Sequence, residues 1–291
     1  MTAPLETASG YRAGRTLPFR VEAVRQLRRR RTAVVAVILA VLPFVLVVAF
    51  AIGGDDGGGG GGGAGREQRI NLVDTATVSG LNFATSALFL SAGFLLVIPV
   101  ALFFGDTVAS EAGWSSLRYL LAAPVPRARL LWSKLRVALT FSLAAIVLLP
   151  LLSLAVGTVA YGWDPLRSPT GSSIPATDAV FRLALAVAFV FVSQLVTAGL
   201  AFWLSTVTDA PLGAVGGAVG LTIVGNLLDA VEALGSWREF LPAHWQYAWA
   251  DAIQPELEWT GMLKGTSVSV AFALVLFALA FRGFARKDVV S

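Results

Sequence analysis

The sequence predicts an all-α integral membrane protein with six transmembrane helices. Of its 291 residues, 56% are hydrophobic, and six long apolar runs hold most of them. Each run approaches or exceeds the roughly 18 to 20 apolar residues that a helix needs to cross about 30 Å of hydrocarbon. Most Lys and Arg residues fall on one side if the chain crosses at every run, as the positive-inside rule requires. The predicted spans are residues 32–52, 81–104, 135–161, 182–204, 213–231 and 265–281.

The segment before the first span predicts a helix that lies on the membrane surface. Residues 1–16 are polar and rich in Gly and Ala, so we expect them to be disordered. Within residues 17–31 the apolar residues recur at helical spacing, with arginines on the other faces, which is typical of an amphipathic interfacial helix. The alternative is a positive anchor that only sets topology. The apolar residues are Leu17, Val21, Val24 and Leu27.

The charge distribution predicts which face of the membrane each loop occupies. The N-terminal segment, the loop 105–134 and the tail 286–291 carry most of the Lys and Arg residues, so we expect both termini in the cytoplasm. We therefore expect a six-helix transmembrane domain over residues 32–285 of a multi-pass protein in the plasma (inner) membrane. The pI of 9.8 reflects this asymmetry and an anionic inner leaflet, so no nucleic-acid partner is expected.

Composition and motifs argue against several classes of site. The chain has no Cys and one His, so neither a thiolate nor a histidine-cluster metal site is expected. We expect the glycine run from Gly57 to Gly63 to be a flexible linker and not a phosphate-binding loop, because no Lys and hydroxyl residue follow it. The sequence leaves two classes of function open besides the one that the resemblance described below implies. One is an intramembrane enzyme, although the chain has no G-x-S-x-G or H-E-x-x-H motif, and the other is a non-transporting membrane scaffold.

Few polar residues interrupt the spans. Gln194 and Asn226 either line a substrate route or form hydrogen bonds between helices, and the sequence leaves both open. Asp229 is near enough to the outer surface to be solvated. Prolines inside three spans are expected to kink their helices: Pro43, Pro99 and Pro150.

The fifth span carries glycines four residues apart, which allow another helix to approach closely. They are Gly213, Gly216, Gly217 and Gly220. We expect packing within the bundle in preference to contact with another subunit.

The last outer loop is rich in aromatic residues, which favour the headgroup layer of a membrane. We expect short helices at the interface there and a packing role for His244; a stacking site for carbohydrate or lipid is the alternative. The aromatic residues are Trp237, Trp245, Tyr247, Trp249 and Trp259.

The loop between the second and third spans predicts a helix-turn-helix on the inner face. Asp106 and Thr107 are expected to cap a helix that runs to about Leu121. Pro124 and Pro126 break it, and a new helix restarts over 127–134.

This loop resembles the signature loop of ATP-binding-cassette (ABC) type-2 exporter permeases. The resemblance rests on an acidic residue, a hydroxyl, Leu-x-x-Leu-Leu, Pro-x-x-Arg and a later Lys: Glu111, Ser116, Leu117, Leu120, Leu121, Pro124, Arg127 and Lys134. Where the family has Gly-Thr, this chain has Ser115 and Ser116. Residues 206–209 and 241–249 are also similar to that family.

The resemblance implies half of a translocation pathway that pairs with a second permease copy or a homologous permease. It also implies a coupling helix that docks on a separate cytoplasmic ABC ATPase subunit. ATP and Mg²⁺ would be bound by that partner, so no cofactor of this chain, no metal and no enzymatic activity are expected, and membrane lipids are the remaining partner. The expected ATPase contacts are Glu111, Trp114, Leu117, Arg118, Leu120, Leu121, Arg127 and Arg129.

Overall fold

The computed structural model describes residues 19–53, 72–113, 127–168 and 170–286, and these ranges are mainly helical. The α-helices are α1 (Phe19–Leu27), α2 (Arg30–Gly53), α3 (Gly80–Ala92), α4 (Val97–Gly113), α5 (Arg127–Tyr161), α6 (Ala176–Ser193), α7 (Leu195–Val207), α8 (Pro211–Asp229) and α9 (Thr260–Arg286). Two short strands, β1 (Leu166–Arg167) and β2 (Ser173–Ile174), pair antiparallel between α5 and α6. Three 3-10 helices, Glu232–Phe240, Pro242–Trp245 and Ala248–Ile253, connect α8 to α9.

Five helical segments in the described ranges are long and apolar enough to cross a membrane. They are α2, α5, the nearly continuous pair α6–α7, α8 and α9. A sixth crossing is formed if α3 and α4 count as one bent span. The prediction of an all-α, multi-pass membrane protein is confirmed at this level.

The second predicted span, 81–104, is not one continuous helix. It breaks over residues 93–96, and α3 and α4 meet at an angle of 50°. Pro99 supplies the reason. In a continuous helix its ring would clash with the carbonyl of Leu95, and proline has no backbone N–H that could donate to this carbonyl. The proline kink expected here is therefore a full break of the helix.

The predicted cap at Asp106 and Thr107 is wrong. Helix α4 continues without interruption through both residues to Gly113. The hydroxyl of Thr107 donates to the carbonyl of Phe104 at 2.6 Å, as a residue inside a helix does. Asp106 instead accepts bonds from arginines of the N-terminal segment.

The bent pair α3–α4 runs antiparallel to α5 along most of its length. A Cβ added to Gly80, at the start of α3, would lie 2.6 Å from the backbone nitrogen of Thr158. At the other end, Glu111 of α4 contacts Lys134 near the start of α5 at 2.6 Å. Residues 134 and 158 are about 36 Å apart along a helix, since each residue rises about 1.5 Å. The pair thus covers about the same depth as α5.

Helix α7 is the centre of the second half of the bundle. It packs against α4, α8 and α9, and its Phe202 ring contacts those of Phe104 and Phe277. Helix α2 packs mainly on α5, and most of its surface is exposed. This exposed, apolar surface is what a helix at the edge of a lipid-embedded bundle presents.

The N-terminal amphipathic segment is a separate helix, as its periodicity predicts. Helix α1 ends at Leu27, and α2 starts at Arg30, so the predicted range 17–31 includes the turn between them. Val21, Val24 and Leu27 of α1 are exposed, whereas Glu22 is mostly buried against α5. Residues 1–18 lie outside the described residues.

Short helices do form between α8 and α9, but the aromatic residues do not share one environment. Trp249 is fully buried and contacts Phe89 of α3, so an interfacial position is wrong for this residue. Trp237 is 73% exposed, as an interfacial residue would be. Arg182 of α6 ties this connection to the bundle by donating to the backbone carbonyls of Ala252, Gln254 and Pro255.

Candidate functional site

Seven charged side chains meet at one end of the bundle, near the end of α4 and the start of α5. We name this group the charge cluster; it consists of Glu22, Arg25, Arg29, Arg31, Asp106, Glu111 and Lys134. Six members lie on four helices, α1, α2, α4 and α5, and Arg29 lies in the turn between α1 and α2. The charge cluster therefore joins these four helices.

Lys134 and Glu111 form the centre of the charge cluster. The Lys134 ammonium lies 2.6 Å from one Glu111 carboxylate oxygen, and the two side chains are 4% and 3% exposed. Arg25 approaches the same oxygen at 3.4 Å, and Glu22 lies 3.4 Å from Lys134. Opposite charges this close compensate for the desolvation that burial imposes on each.

Asp106 provides a second contact between α4 and the N-terminal segment. Its carboxylate accepts a bond from Arg31 at 2.6 Å and another from Arg29. Asp106 is 3% exposed, and charge-assisted bonds of this kind are stronger than neutral ones. The start of α2 is therefore held against α4 one helical turn before Glu111.

The structure describes only part of the predicted ATPase-binding loop. Glu111 is buried in the charge cluster and bonds within the chain. Arg127 donates to the carbonyl of Ala285 near the end of α9 at 3.2 Å, and Arg129 is exposed. The other predicted contacts lie outside the described residues: Trp114, Leu117, Arg118, Leu120 and Leu121.

A cavity of about 310 Å³ lies among α7, α8, α9 and the second 3-10 helix. Gln194 and Asn226, which the sequence singles out, both line it. Its wall is otherwise mainly apolar, with Leu200, Leu221 and Phe272 among the lining residues. None of the described residues that line it is ionisable.

Gln194 also explains how the broken span is held. It lies at the junction of α6 and α7, is 5% exposed, and donates from its amide nitrogen to the carbonyl of Ala92 at 2.9 Å. Ala92 is the last residue of α3, where the helix break leaves carbonyls without their usual partners. Interhelical bonding, one of the two roles left open for Gln194, is therefore present, and the same side chain lines the cavity.

The glycines of α8 do not pack in the expected way. A Cβ on Gly216 or Gly220 would meet no described atom within 4 Å, and one on Gly213 would meet only the neighbouring turn. Gly217 alone approaches another helix, at Leu204 of α7. Packing within the described part of the chain thus does not account for the other three, and contact with another subunit stays the untested alternative.

The glycine that brings α8 close to its neighbour lies on α4. A Cβ on Gly105 would stand 2.8 Å from a methyl of Val215 and 3.1 Å from its backbone nitrogen. Only a residue without a side chain permits this approach.

Asp229 is not simply solvated. Its carboxylate lies 2.7 Å from Nδ1 of His244, and its carbonyl accepts a bond from Arg238. The His244 ring also packs edge-on against Trp245, so this residue contributes to packing, as expected.

Several residues that matter to these sites carry no signal in the sequence. Gln246 lines the cavity and is 9% exposed, yet it is one polar residue in a loop of many. Asn82 bonds both the N–H and the C=O of Arg167, which fixes the β-hairpin to α3. Arg167 is 85 residues away from Asn82 in sequence, and a helical pattern carries no information on such pairs.

Comparison with known proteins places the chain in a family without assigning an activity. No curated protein matches it. The profile of one protein family, described as a protein of unknown function (DUF2705), matches residues 69–290, which includes the helices from α3 to α9. The chain belongs to the DUF2705 family.

Proposed function

We propose that this chain is the permease subunit of an ATP-driven ABC-type exporter. It forms half of a translocation pathway, pairs with a second permease, and couples to a separate cytoplasmic ATPase through the loop 105–134. The partner subunit binds ATP and Mg²⁺ and hydrolyses the nucleotide. The protein resides in the plasma (inner) membrane with both termini in the cytoplasm.

The arrangement of the helices supports six crossings. The bent pair α3–α4 begins beside the end of α5 and ends beside its start, about 36 Å away, which exceeds the roughly 30 Å of a bilayer core. A re-entrant segment would return to the end at which it entered. Six crossings place α1, the loop 105–134 and the turn between α7 and α8 on one side, where Lys and Arg residues are concentrated.

The observation that carries the proposal is the buried pair of Glu111 and Lys134. These two residues flank the loop on α4 and α5, and their charges hold the two flanks together. A force applied to the loop would therefore reach both helices at once. Arg25 and Glu22 extend the connection to α1. Coupling to an ATPase would need such a firm connection between the loop and both helices.

This geometry changes the role that we assign to Glu111. The resemblance implies a polar contact with the ATPase, but its carboxylate is buried and bonded to Lys134. Glu111 then positions the loop, while contact with the ATPase falls to the loop residues themselves. Arg127 and Arg129 remain candidates for that contact, because both lie at the end of the loop on the same side of the bundle.

The proposal is tested by co-purification with a candidate ATPase. This ATPase would carry a phosphate-binding loop and be encoded beside this chain. Leu117→Asp should remove an apolar anchor, and Arg127→Glu should reverse a charge at the contact. We expect each to lower retention of the ATPase at least ten-fold and to reduce ATP turnover in the complex.

Arg167→Glu is the matched control, since it makes the same charge change on the exposed hairpin at the opposite end of the bundle. It should leave retention and turnover unchanged. Wild-type retention and turnover in both Leu117→Asp and Arg127→Glu would contradict coupling through this loop.

A further inference from the structure

The cavity among α7, α8 and α9 has the shape of a lateral groove. Helices α8 and α9 both pack on α7, but neither packs extensively on the other. Residues 193–200 form the floor of the groove, and Leu241, Pro242 and Ala243 close it at one end. On the outer rims, Leu221 and Phe272 are each nearly half exposed. An apolar molecule in the surrounding lipid would therefore have a direct way in.

Two buried amide groups converge in this groove. Gln194 uses its nitrogen on the carbonyl of Ala92, and among the described residues its oxygen has no hydrogen-bond partner. The amide nitrogen of Gln246 likewise has no partner within the described part of the chain. Both side chains are at least nine-tenths buried and line the same cavity. Both also lie beside the break after α3, because Gln194 bonds the carbonyl of Ala92 and the Gln246 nitrogen lies 3.0 Å from the place that a Cβ on Gly93 would take.

Unpaired polar atoms at such sites are informative, since a buried donor or acceptor without a partner is destabilising. One unpaired acceptor and one unpaired donor that line the same cavity match a ligand group that both donates and accepts, such as a hydroxyl or a primary amide. The described lining has no charged residue that would compensate for an ion. The volume is near the lower end of the roughly 300–1,000 Å³ range of ligand sites, which suits one hydrocarbon chain.

We propose that this groove binds an uncharged, single-chain amphiphile, with its hydroxyl or amide group between Gln194 and Gln246 and its hydrocarbon chain along α7. Binding requires no ATPase, so the proposal stands or falls separately from the exporter function.

Equilibrium binding of radiolabelled decan-1-ol to the purified chain in phosphatidylcholine nanodiscs tests the proposal, with empty nanodiscs subtracted. Unlabelled decan-1-ol should displace the radiolabelled compound, which would show that binding is saturable. Decanoate and decylammonium have the same chain length but carry a charge, and they should compete at least ten-fold more weakly. Decane has no polar group and should also compete at least ten-fold more weakly.

Two kinds of variant separate the polar contacts from the space itself. Gln194→Leu and Gln246→Leu each remove one of the two buried amide groups, so each should weaken decan-1-ol binding about five- to ten-fold. Gly225→Leu should fill the groove without disturbing the backbone, because a Cβ there would meet only Ala243 at 4.0 Å. Gly225→Leu should abolish saturable binding. This test remains valid if Gln194→Leu fails to fold.

Gly220→Leu is the matched control on the same helix. A Cβ at this position would meet no described atom within 4 Å, and residue 220 does not line the groove. Its binding should equal that of the wild type. Absence of saturable binding, equal binding of decane, or equal losses in Gly220→Leu and Gly225→Leu would each overturn the proposal.

Native mass spectrometry of the wild-type protein distinguishes the two sources of such a ligand. A neutral lipid that co-purifies, is displaced by decan-1-ol and is missing from Gly225→Leu would identify a resident membrane lipid. Saturable decan-1-ol binding to a protein that carries no such lipid would identify a molecule taken up from outside the lipid shell. Both results support the site.

Discussion

Lys134 and Glu111 illustrate how much a single buried pair contributes at the base of the loop. Their side chains are almost fully buried, so each charge depends on the other for compensation. We therefore expect its loss to affect stability as well as coupling.

Lys134→Met should lower the free energy of unfolding by about 3 kcal/mol, because it leaves the Glu111 carboxylate buried without its closest cation. Unfolding by sodium dodecyl sulfate, followed by Trp fluorescence, measures the change. The double variant Glu111→Gln/Lys134→Met should lose less than the sum of the two single variants, since it removes both charges.

Lys264→Met is the control for that series. Lys264 and its partner Glu239 are both 55% exposed and 3.8 Å apart, and exposed pairs contribute about 0 to 1 kcal/mol. A loss for Lys134→Met as small as that of the control would show that the buried pair contributes no more than a surface pair.

Asp251 gives stability a pH dependence of known sign. Its carboxylate lies in the third 3-10 helix and faces Gly261 of α9. Burial raises the pKa of Asp251 above 3.8, and the carboxylate of Glu258 raises this pKa further. The folded state therefore favours the protonated form more than the unfolded state does, and ionisation of Asp251 destabilises the fold as the pH rises.

Asp251→Asn should consequently raise the melting temperature at pH 7, with no increase well below pH 3.8, where the carboxyl is protonated in both states. Thermal unfolding followed by Trp fluorescence at both pH values measures this. Glu256→Gln, at an exposed carboxylate of the same connection, should change the melting temperature little. A lower melting temperature for Asp251→Asn at pH 7 would reverse the sign of the effect.

At the scale of elements, α1 shows an orientation that its sequence only partly predicts. The apolar residues are on one face, as the periodicity requires, but this face points away from the bundle. The polar face carries Glu22 and Arg25, which contact Lys134 and Glu111 within the charge cluster. This arrangement suits a helix that rests its apolar face in the headgroup layer and attaches to the protein by charge.

Spin labels on single cysteines measure this orientation, since the native chain has none. A label at Val21→Cys should be relaxed mainly by oxygen, which concentrates in lipid, and one at Arg28→Cys mainly by a water-soluble nickel complex. Equal accessibility to nickel at both positions would mean that α1 lies in water.

The bent span α3–α4 shows what a run of apolar residues leaves undetermined. Hydropathy identifies a segment long enough to cross the bilayer, and residues 81–104 satisfy that condition. The break over residues 93–96 is tolerated because Gln194, on another helix, bonds the carbonyl of Ala92. Pro99 indicates a kink, but the partner that permits a complete break is about 100 residues away.

At the scale of the whole molecule, the hairpin and the charge cluster lie at opposite ends of the bundle, and the six crossings that we propose would put them on opposite faces of the membrane. Asn82 fixes the hairpin beside the start of α3, and the cluster lies at the end of α4. The turn at Asp209, between α7 and α8, lies at the charge-cluster end, since Thr107 contacts Ser205 at 3.3 Å.

A membrane-impermeant maleimide applied to intact cells tests this topology. Thr170→Cys, between the two strands, should react from outside, whereas Asp209→Cys should react only after permeabilisation. Reaction of both positions in intact cells would contradict six crossings.

The sequence alone determined the class of protein, the limits of most membrane helices and the uneven distribution of positive charge. Span 135–161, for example, lies within α5, because a long apolar run must satisfy its backbone hydrogen bonds internally in lipid and so becomes a helix in any context. Only the tertiary structure decided that Glu111 faces Lys134, that α8 contacts α4 through Gly105, and that Gln194 and Gln246 share one groove. These contacts join residues far apart in the chain, and they depend on which face each helix presents to its neighbours, which hydropathy does not encode.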